Sequence, residues 1–397
     1  MTPRRLVLSF GTLTGVLAGG YGVMFSVLDS YHKKYFISKG SLGIVVAIGF
    51  LAAFVCQLFV APKADQGHAR ALIILGTLLN VAGLAIMAVS TALPGLLIGR
   101  VLMGMGGGTA IPAVRRIVIL TDPENFGHNL GLLLSADVTG FAIGPAISAV
   151  LVGPFGLGSP YVVLIAITVI VLPFVMRVHV EESIEPVKER FAFDLLKNRA
   201  FVGALTMGSA AFVMIGTFDA LWVLVLDELH ASTVIKKLGI TLFALPLIVL
   251  GPASGRWAQR YGPFRLGTVG LLGGALAMFS YGQMPTAVGM FAVAMVHALN
   301  DGATISCGGV AATMTTPPER QAGAQGLMGG VQTLVAGIMA IVAGQLLQHY
   351  GRTTAYTVCA ILMVALVAAG WILAGPQRHL RGSATVDLIE KLPEPVG

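Results

Sequence analysis

The sequence predicts an all-α membrane protein with about 12 transmembrane helices in two pseudo-symmetric six-helix bundles. Three observations lead to this fold class. First, 56% of the 397 residues are hydrophobic and only 11% are charged, whereas a soluble domain carries about 25% charged residues. Second, the apolar residues form runs of roughly 20, the length that spans hydrocarbon as a helix. Third, the only long charged stretch, 177–199, separates two sets of such runs.

Each expected span is an apolar run bounded by polar, Gly or Pro residues. In chain order the spans are 5–31, 41–61, 71–90, 93–119, 129–152, 159–178, 201–226, 238–257, 265–283, 286–314, 324–348 and 354–375. The expected domains are therefore an N-terminal bundle over 1–178, a linker over 179–200, a C-terminal bundle over 201–376 and a polar tail over 377–397. The linker is too charged for hydrocarbon, and its recurring apolar residues indicate a partly amphipathic surface helix.

Lysine and arginine predominate on one side of this zigzag, in the linker and in the loops that hold Arg70, Arg116, Arg256 and Arg320. The positive-inside rule makes that side cytoplasmic. Both termini are then cytoplasmic, in a bacterial-type plasma (inner) membrane. The first run lacks a small-residue cleavage site, so we expect it to be retained as a span.

Several function classes are disfavoured. The net charge of +7 comes from basic residues scattered singly in short loops, which encodes topology and gives no reason to expect nucleic-acid binding. The sequence has no P-loop, no Gly-x-Ser-x-Gly elbow and no Cys/His spacing typical of metal sites, so we expect neither an enzyme nor a metal or cofactor. The expected partners are a small-molecule substrate, protons and the lipid bilayer, and we expect a monomer.

The two halves resemble each other at a shift of about 195 residues, and such parallel repeats typically place a substrate site between them. The loop after span two reads Ala61-Pro-Lys-Ala-Asp65-Gln-Gly67-His-Ala-Arg70, and its counterpart reads Gly255-Arg-Trp-Ala-Gln-Arg260-Tyr-Gly262-Pro-Phe-Arg265. The first loop resembles the G-x-x-x-D-R-x-G-R-[KR] signature of the major facilitator superfamily. Ala61 replaces the opening glycine, Gln66 replaces the arginine, and Gly67 comes one residue early.

The resemblance implies a major facilitator fold in which this loop latches the two halves in the outward-facing state. It assigns the gating role to Asp65 and Arg70, with Gly67 at the turn. Gly255, Arg260, Gly262 and Arg265 occupy the second copy. The alternative is a basic turn that only fixes topology.

Two further motifs lie inside spans. Arg100 interrupts span four, where a charge costs about 2.5 to 3.5 kcal/mol, so it should face a wet cavity or a carboxylate. It resembles the family's R-x-x-x-G pattern, which implies proton transfer, although a static clamp on neighbouring helices is the alternative. Gly140-x-x-x-Gly144-Pro145 on span five resembles the motif of drug:proton antiporters. Small residues at this spacing also allow close helix packing, and proline permits a bend.

The remaining candidates are scarce ionisable groups inside spans. Their carboxyls can exchange protons when burial or a nearby arginine changes: Asp29, Asp137, Asp219 and Asp301. His297 lies four residues before Asp301 and shares its helix face, so the pair is expected either to relay protons or to hold each other in place. Phe218 and Trp222 offer aromatic surface beside Asp219 for an organic cation, or simply pack. Asn300 and Gln332 are further cavity candidates.

These patterns predict a proton-coupled exporter of small amphipathic or cationic organic compounds that works by alternating access. One alternative is a facilitator or proton symporter for a metabolite such as a sugar or organic acid. Another is a membrane receptor or lipid-translocating protein, which would tolerate mutation of Asp137 and Asp301 together.

Overall fold

The computed structural model describes residues 3–177, 187 and 189–382. Within these ranges the chain is almost entirely helical and contains no strand. The α-helices are α1 (Pro3–Tyr35), α2 (Lys39–Phe59), α3 (Ala69–Val89), α4 (Leu93–Thr121), α5 (Phe126–Phe155), α6 (Ser159–Met176), α7 (Arg199–Glu228), α8 (Thr233–Tyr261), α9 (Pro263–Gln283), α10 (Ala287–Thr304), α11 (Cys307–Met314) and α12 (Gln321–Ala374).

These helices agree with the expected spans and confirm the fold class. The helix α12 contains two of the spans, because Gly351 at φ 80° and ψ 171° breaks it. The tenth span is divided into α10 and α11. Ten stretches of the described chain are long and apolar enough to cross a membrane, with 287–314 and 318–379 each counted as one and α8 not among them.

The chain divides into two compact units. Unit 1 comprises Met1–Asp122, Leu132–Ala192 and Glu319–Gly330, and unit 2 comprises Pro123–Gly131, Phe193–Pro318 and Val331–Gly397. Each unit therefore includes a short segment from the other half of the sequence. The proposed domain boundaries stay a prediction. Residues 178–186 and 188 of the charged stretch, and 383–397 of the tail, lie outside the described residues.

Each unit has its own apolar core. In unit 1 the core is built around Tyr31, Leu84, Met103 and Tyr161. In unit 2 it is built around a cluster of aromatic rings: Phe218 stacks on Trp222 at 4.7 Å, and Tyr281 lies 5.6 Å from Tyr356. Because lipid is as apolar as these side chains, close packing rather than water exclusion holds the helices together.

Glycines let the helices of unit 1 approach until their backbones touch. A Cβ on Gly140 of α5 would overlap the carbonyl oxygen of Gly15 on α1, and one on Gly144 would lie 2.6 Å from the backbone of Gly22. Between α3 and α4, a Cβ on Gly76 would lie 2.6 Å from a carbonyl oxygen. The Gly140-x-x-x-Gly144 pattern therefore forms the contact between α1 and α5.

The contact at Gly140 predicts a steric cost for the smallest side chain. We expect Gly140→Ala to lower the free energy of unfolding by about 1–3 kcal/mol, the usual cost of overpacking. Gly337→Ala on α12 is the matched control, because nothing lies within 4 Å of its Cβ position. That variant should be no less stable than the wild type, since alanine favours a helix by about 1 kcal/mol over glycine. Denaturant unfolding in detergent micelles measures the stability of both variants. Equal losses of stability would contradict the close contact between α1 and α5 at Gly140.

Candidate functional site: two loop clusters and a buried histidine network

The first loop cluster centres on Asp65, in the short 3-10 helix Ala61–Gln66 that follows α2. Arg116 on α4 places its Nε 3.0 Å from Asp65 Oδ1, and both side chains are only 2% exposed. A buried charge is tolerated only when it is paired and hydrogen-bonded. From the sequence, Arg116 was expected only to mark the cytoplasmic side, and its pairing with Asp65 was not predicted.

The same carboxylate also caps a helix. The backbone N–H groups of Ala322 and Gly323 in the first turn of α12 donate to Asp65 at 2.8 and 2.7 Å. Free N–H groups and the helix dipole make a helix start a favourable place for an anion. Asp65 thus accepts from a guanidinium and two backbone amides at once, and links α2, α4 and α12 within unit 1.

The other residues of the first loop shape and secure it. Gly67 has φ 83°, a left-handed conformation suited to glycine, and ends the 3-10 helix. Arg70 donates from Nη2 to the carbonyl of Met176 at 2.8 Å, at the end of α6. Asp65, Gly67 and Arg70 therefore lie in one structured turn.

The second loop cluster repeats this arrangement with a neutral side chain. Gln259 on α8 accepts at Oε1 from the N–H of Gly127 at 3.0 Å, in the first turn of α5, and donates from Nε2 to the carbonyl of Glu124 at 2.8 Å. A Cβ on Gly255 would overlap the carbonyl oxygen of Gly127. The position of Gln259 in the repeat, matching Asp65, is the signal that would have identified it.

Of the candidate residues that follow Gln259, Arg260 and Arg265 are exposed and Gly262 is buried. Arg260 is exposed and stacks over the neighbouring ring of Tyr261 at 5.5 Å. Gly262 has φ 100° and forms the turn into α9. Arg265 Nη2 lies 2.8 Å from His379 Nδ1.

A buried network on α9 and α10 brings several predicted residues together. His297 is 2% exposed, and its Nε2 lies 3.4 Å from Asp301 Oδ1, as their spacing predicts. Its Nδ1 lies 2.8 Å from the hydroxyl of Tyr281, a residue that the sequence analysis missed. Asn300 donates to the carbonyl of Gly270 at 2.9 Å and more weakly to Asp301.

This network can hold one proton or two on the imidazole. His297 Nε2 lies 3.0 Å from Met214 Sδ, closer than it lies to Asp301. With a neutral ring, Nε2–H donates to this sulfur beside the carboxylate, and Nδ1 accepts from Tyr281. With a charged ring, both nitrogens donate and the tyrosine oxygen accepts. A cavity of about 30 Å³ lies beside it, lined by Asp301, Gln332, Met207, Met214, Phe212 and neighbouring residues. That volume is enough for a water molecule in contact with polar partners.

The aspartate on α7 lies on another face from the two aromatic candidates. Phe218 and Trp222 are 8% and 1% exposed and stack in the core of unit 2, whereas Asp219 is exposed. Residues i and i+4 share a helix face, but i and i+1 do not. The structure therefore does not provide the aromatic surface expected beside Asp219.

Arg100 lies in a different setting from the expected one. Its side chain is fully buried, and its three guanidinium nitrogens have no hydrogen-bond partner among the described residues. It stacks over the ring of Tyr21 at 4.0 Å and lies 5.2 Å from Phe50. Arg100 forms no ion pair with a carboxylate of the described chain, and two aromatic rings lie against its guanidinium instead.

The last two acidic candidates differ in burial. Asp137 on α5 is half-buried, and its Oδ1 has no hydrogen-bond partner among the described residues. Asp29 is exposed near the end of α1 and forms an ion pair with Lys33 one turn later. Asp29 is therefore a solvated residue near a helix end and not a carboxyl buried inside a span. In the described ranges no three His, Cys, Asp or Glu side chains are placed to hold a metal ion.

Comparisons with known proteins agree on one family. A model described as Major Facilitator Superfamily matches residues 8–225 and 208–393. The class C tetracycline resistance protein of Escherichia coli is 26% identical over 276 residues, 64% of this chain and 68% of that protein. The glucose transporter GlcP of Staphylococcus epidermidis is 30% identical over 137 residues, 34% of this chain and 31% of that protein.

A solved structure shares the fold. The proton:xylose symporter XylE superposes with a TM-score of 0.78, covering 97% of this chain and 98% of that one, at 13% sequence identity. An identity this low supports a common architecture and carries no information on substrate.

The pairing of Asp65 with Arg116 predicts a large cost for removing one partner. We expect Arg116→Gln to lower the free energy of unfolding by about 3–5 kcal/mol, because it removes the ion-pair partner of a buried carboxylate. Lys63→Gln, at an exposed position of the same 3-10 helix, removes an equal charge and should change stability by less than about 0.5 kcal/mol. Denaturant unfolding in micelles measures both. Similar losses in the two variants would show that loop charge, and not the buried pair, is responsible.

Proposed function

Because the chain belongs to the Major Facilitator Superfamily, we propose that it is a proton-coupled exporter of small amphipathic or cationic organic compounds that works by alternating access. Family membership makes the protein a multi-pass membrane transporter and not an enzyme. The substrate class, the direction and the coupling to protons are the proposal. It includes a bacterial-type inner membrane, cytoplasmic termini and a monomeric state.

The network around His297 is the observation that carries the proposal. His297 and Asp301 are buried within an apolar unit, yet the ring keeps hydrogen-bonding partners in both of its charge states. Groups that can gain and lose a proton inside a membrane are costly and are usually functional. The adjoining cavity gives Asp301 and Gln332 a place to meet a water or a polar group of the substrate.

The direction of transport rests on the α5 motif. Gly140 and Gly144 bring α5 against α1, and Pro145 follows in the same helix. This motif resembles that of the drug:proton antiporters, and one relative of this chain is named for tetracycline resistance. Both points favour export.

The two loop clusters supply bonds that a change of conformation would have to break and remake. Asp65 holds the start of α12, and Gln259 holds the start of α5. We propose that Asp65, Gly67 and Arg70, with Gly255, Arg260, Gly262 and Arg265, gate the cycle. Arg100, Asp137 and Asp219 remain further candidates for proton coupling or for substrate contact.

A metabolite facilitator or proton symporter is the second candidate function. It is favoured by the likeness to a glucose transporter at 30% identity, although that match spans about a third of either chain. A proton gradient would make a symporter move its solute in the same direction as the protons, whereas it would make an exporter of the antiport type move its solute in the opposite direction.

Transport by this protein is expected to be driven by a pH gradient across the membrane. Inverted membrane vesicles that contain the protein in their membrane, and whose interior is made acidic, should accumulate a fluorescent cationic dye. Accumulation should collapse when a protonophore removes the gradient, because the gradient supplies the driving force. Vesicles from cells without the protein are the control. Uptake that persists without a gradient would reject coupling, and proton-driven expulsion of a sugar or an organic acid would favour the symporter.

Asp301 is expected to carry the proton that is exchanged for the substrate. Asp301→Asn should reduce gradient-driven accumulation by about 5- to 150-fold, the range of typical coupling free energies, while substrate exchange without a gradient continues. Asp29→Asn, which alters an exposed carboxylate already paired with Lys33, is the matched control and should transport like the wild type. If Asp301→Asn retains full gradient-driven uptake, the proton site lies elsewhere.

A further inference from the structure

Positive charge collects at one end of unit 2, where α8 turns into α9 and α12 ends. His379 lies between two arginines: Arg265 Nη2 is 2.8 Å from its Nδ1, and Arg378 Nε is 3.2 Å from its Nε2. A neutral imidazole can accept at only one nitrogen, so these three groups do not satisfy one another. None of the three forms an ion pair with an Asp or Glu of the described chain. Arg265 and His379 are exposed, so the remaining donors of the cluster are accessible to an external anion.

The cluster is held in a defined position. The guanidinium of Arg378 lies over the ring of Trp371 at 5.4 Å, in the last turn of α12. The chain after His379 is tied back to α8, because the N–H of Gly382 donates to the carbonyl of Gln259 at 2.6 Å. Arg265 lies in the first turn of α9. The three basic groups are therefore fixed at helix ends.

An exposed apolar stripe begins one turn along α9 from Arg265. Val269, Leu272, Leu276 and Phe279 are 71%, 42%, 66% and 43% exposed. Their spacing of three and four residues places them on the helix face of Arg265. In a membrane protein such a face contacts acyl chains, and a tryptophan such as Trp371 is typical of the headgroup level. The cluster and the stripe together match a molecule with a charged head and apolar tails.

We propose that Arg265, Arg378 and His379 bind the phosphate of an anionic phospholipid whose acyl chains lie along the α9 stripe. Arginine forms paired hydrogen bonds with phosphate oxygens, and basic pockets at the ends of membrane helices suit anionic headgroups. The stripe favours a lipid over free phosphate, because inorganic phosphate would leave it without a ligand. The site is separate from the His297 network and does not depend on the transported substrate.

The test measures lipid binding to the purified full chain in detergent, by native mass spectrometry and by thermal stability. Phosphatidylglycerol should bind and stabilise the wild type more than phosphatidylcholine does. Arg265→Gln with Arg378→Gln should weaken phosphatidylglycerol binding by about 30-fold. Each arginine near an anionic surface contributes about 1 kcal/mol, which is about fivefold in affinity, and the variant removes two. Arg5→Gln with Arg177→Gln removes two exposed arginines from unit 1 and should leave binding unchanged.

Three results would overturn the proposal. Equal losses in the two double variants would mean that net charge alone attracts the lipid. Equal stabilisation by inorganic phosphate at the same concentration would identify a free anion as the ligand. Undiminished phosphatidylglycerol binding by the Arg265→Gln, Arg378→Gln variant would mean that the lipid binds elsewhere.

Discussion

A helix in hydrocarbon satisfies its own backbone along its length, but it cannot satisfy its ends or any charge that it carries. This constraint explains where the polar residues of this protein lie. Asp65 provides acceptors for the first turn of α12, and Gln259 does so for the first turn of α5. Arg116 then compensates the charge that Asp65 brings into a buried position.

The two caps show why one repeat uses an acid and the other an amide. Asp65 has Arg116 beside it, whereas the residues that correspond to Arg116 in the second half, near Ala311 and Ala312, carry no charge. A carboxylate in place of Gln259 would then lack a buried arginine in the position of Arg116, and a buried charge without a bonded partner is costly. The amide also donates a bond to Glu124, which a carboxylate cannot do.

The positions of most helices followed from the sequence, because the length of an apolar run and the residues at its ends are local properties. The division of the tenth span into α10 and α11 did not. The break at Gly351 fell between two predicted spans for the same reason. The spacing of His297 and Asp301 predicted their contact. Arg116 and Tyr281 were missed because a positive-inside count treats every loop arginine alike, and because a tyrosine in an apolar run gives no sign of its partner.

Neighbouring residues explain the remaining differences. Asp219 follows Phe218 directly, and a step of one residue turns a helix by about 100°, so a buried ring and an exposed carboxylate are adjacent in sequence yet apart in space. Arg100 was expected to need an acid, but stacking on Tyr21 and Phe50 gives its flat cation another setting. Neither outcome can be read from hydropathy, since both depend on which helix faces which neighbour.

The amide of Gln259 has a further consequence for how the two repeats can behave. An amide keeps its hydrogens at any physiological pH, so the hydrogen bond between Gln259 and the first turn of α5 does not depend on the pH on either side of the membrane. The hydrogen bonds between Asp65 and the first turn of α12 are accepted by a carboxylate, and protonation would neutralise it. The two loop clusters therefore differ in how their hydrogen bonds respond to pH: those of Gln259 do not depend on it, and those of Asp65 require an ionised carboxylate.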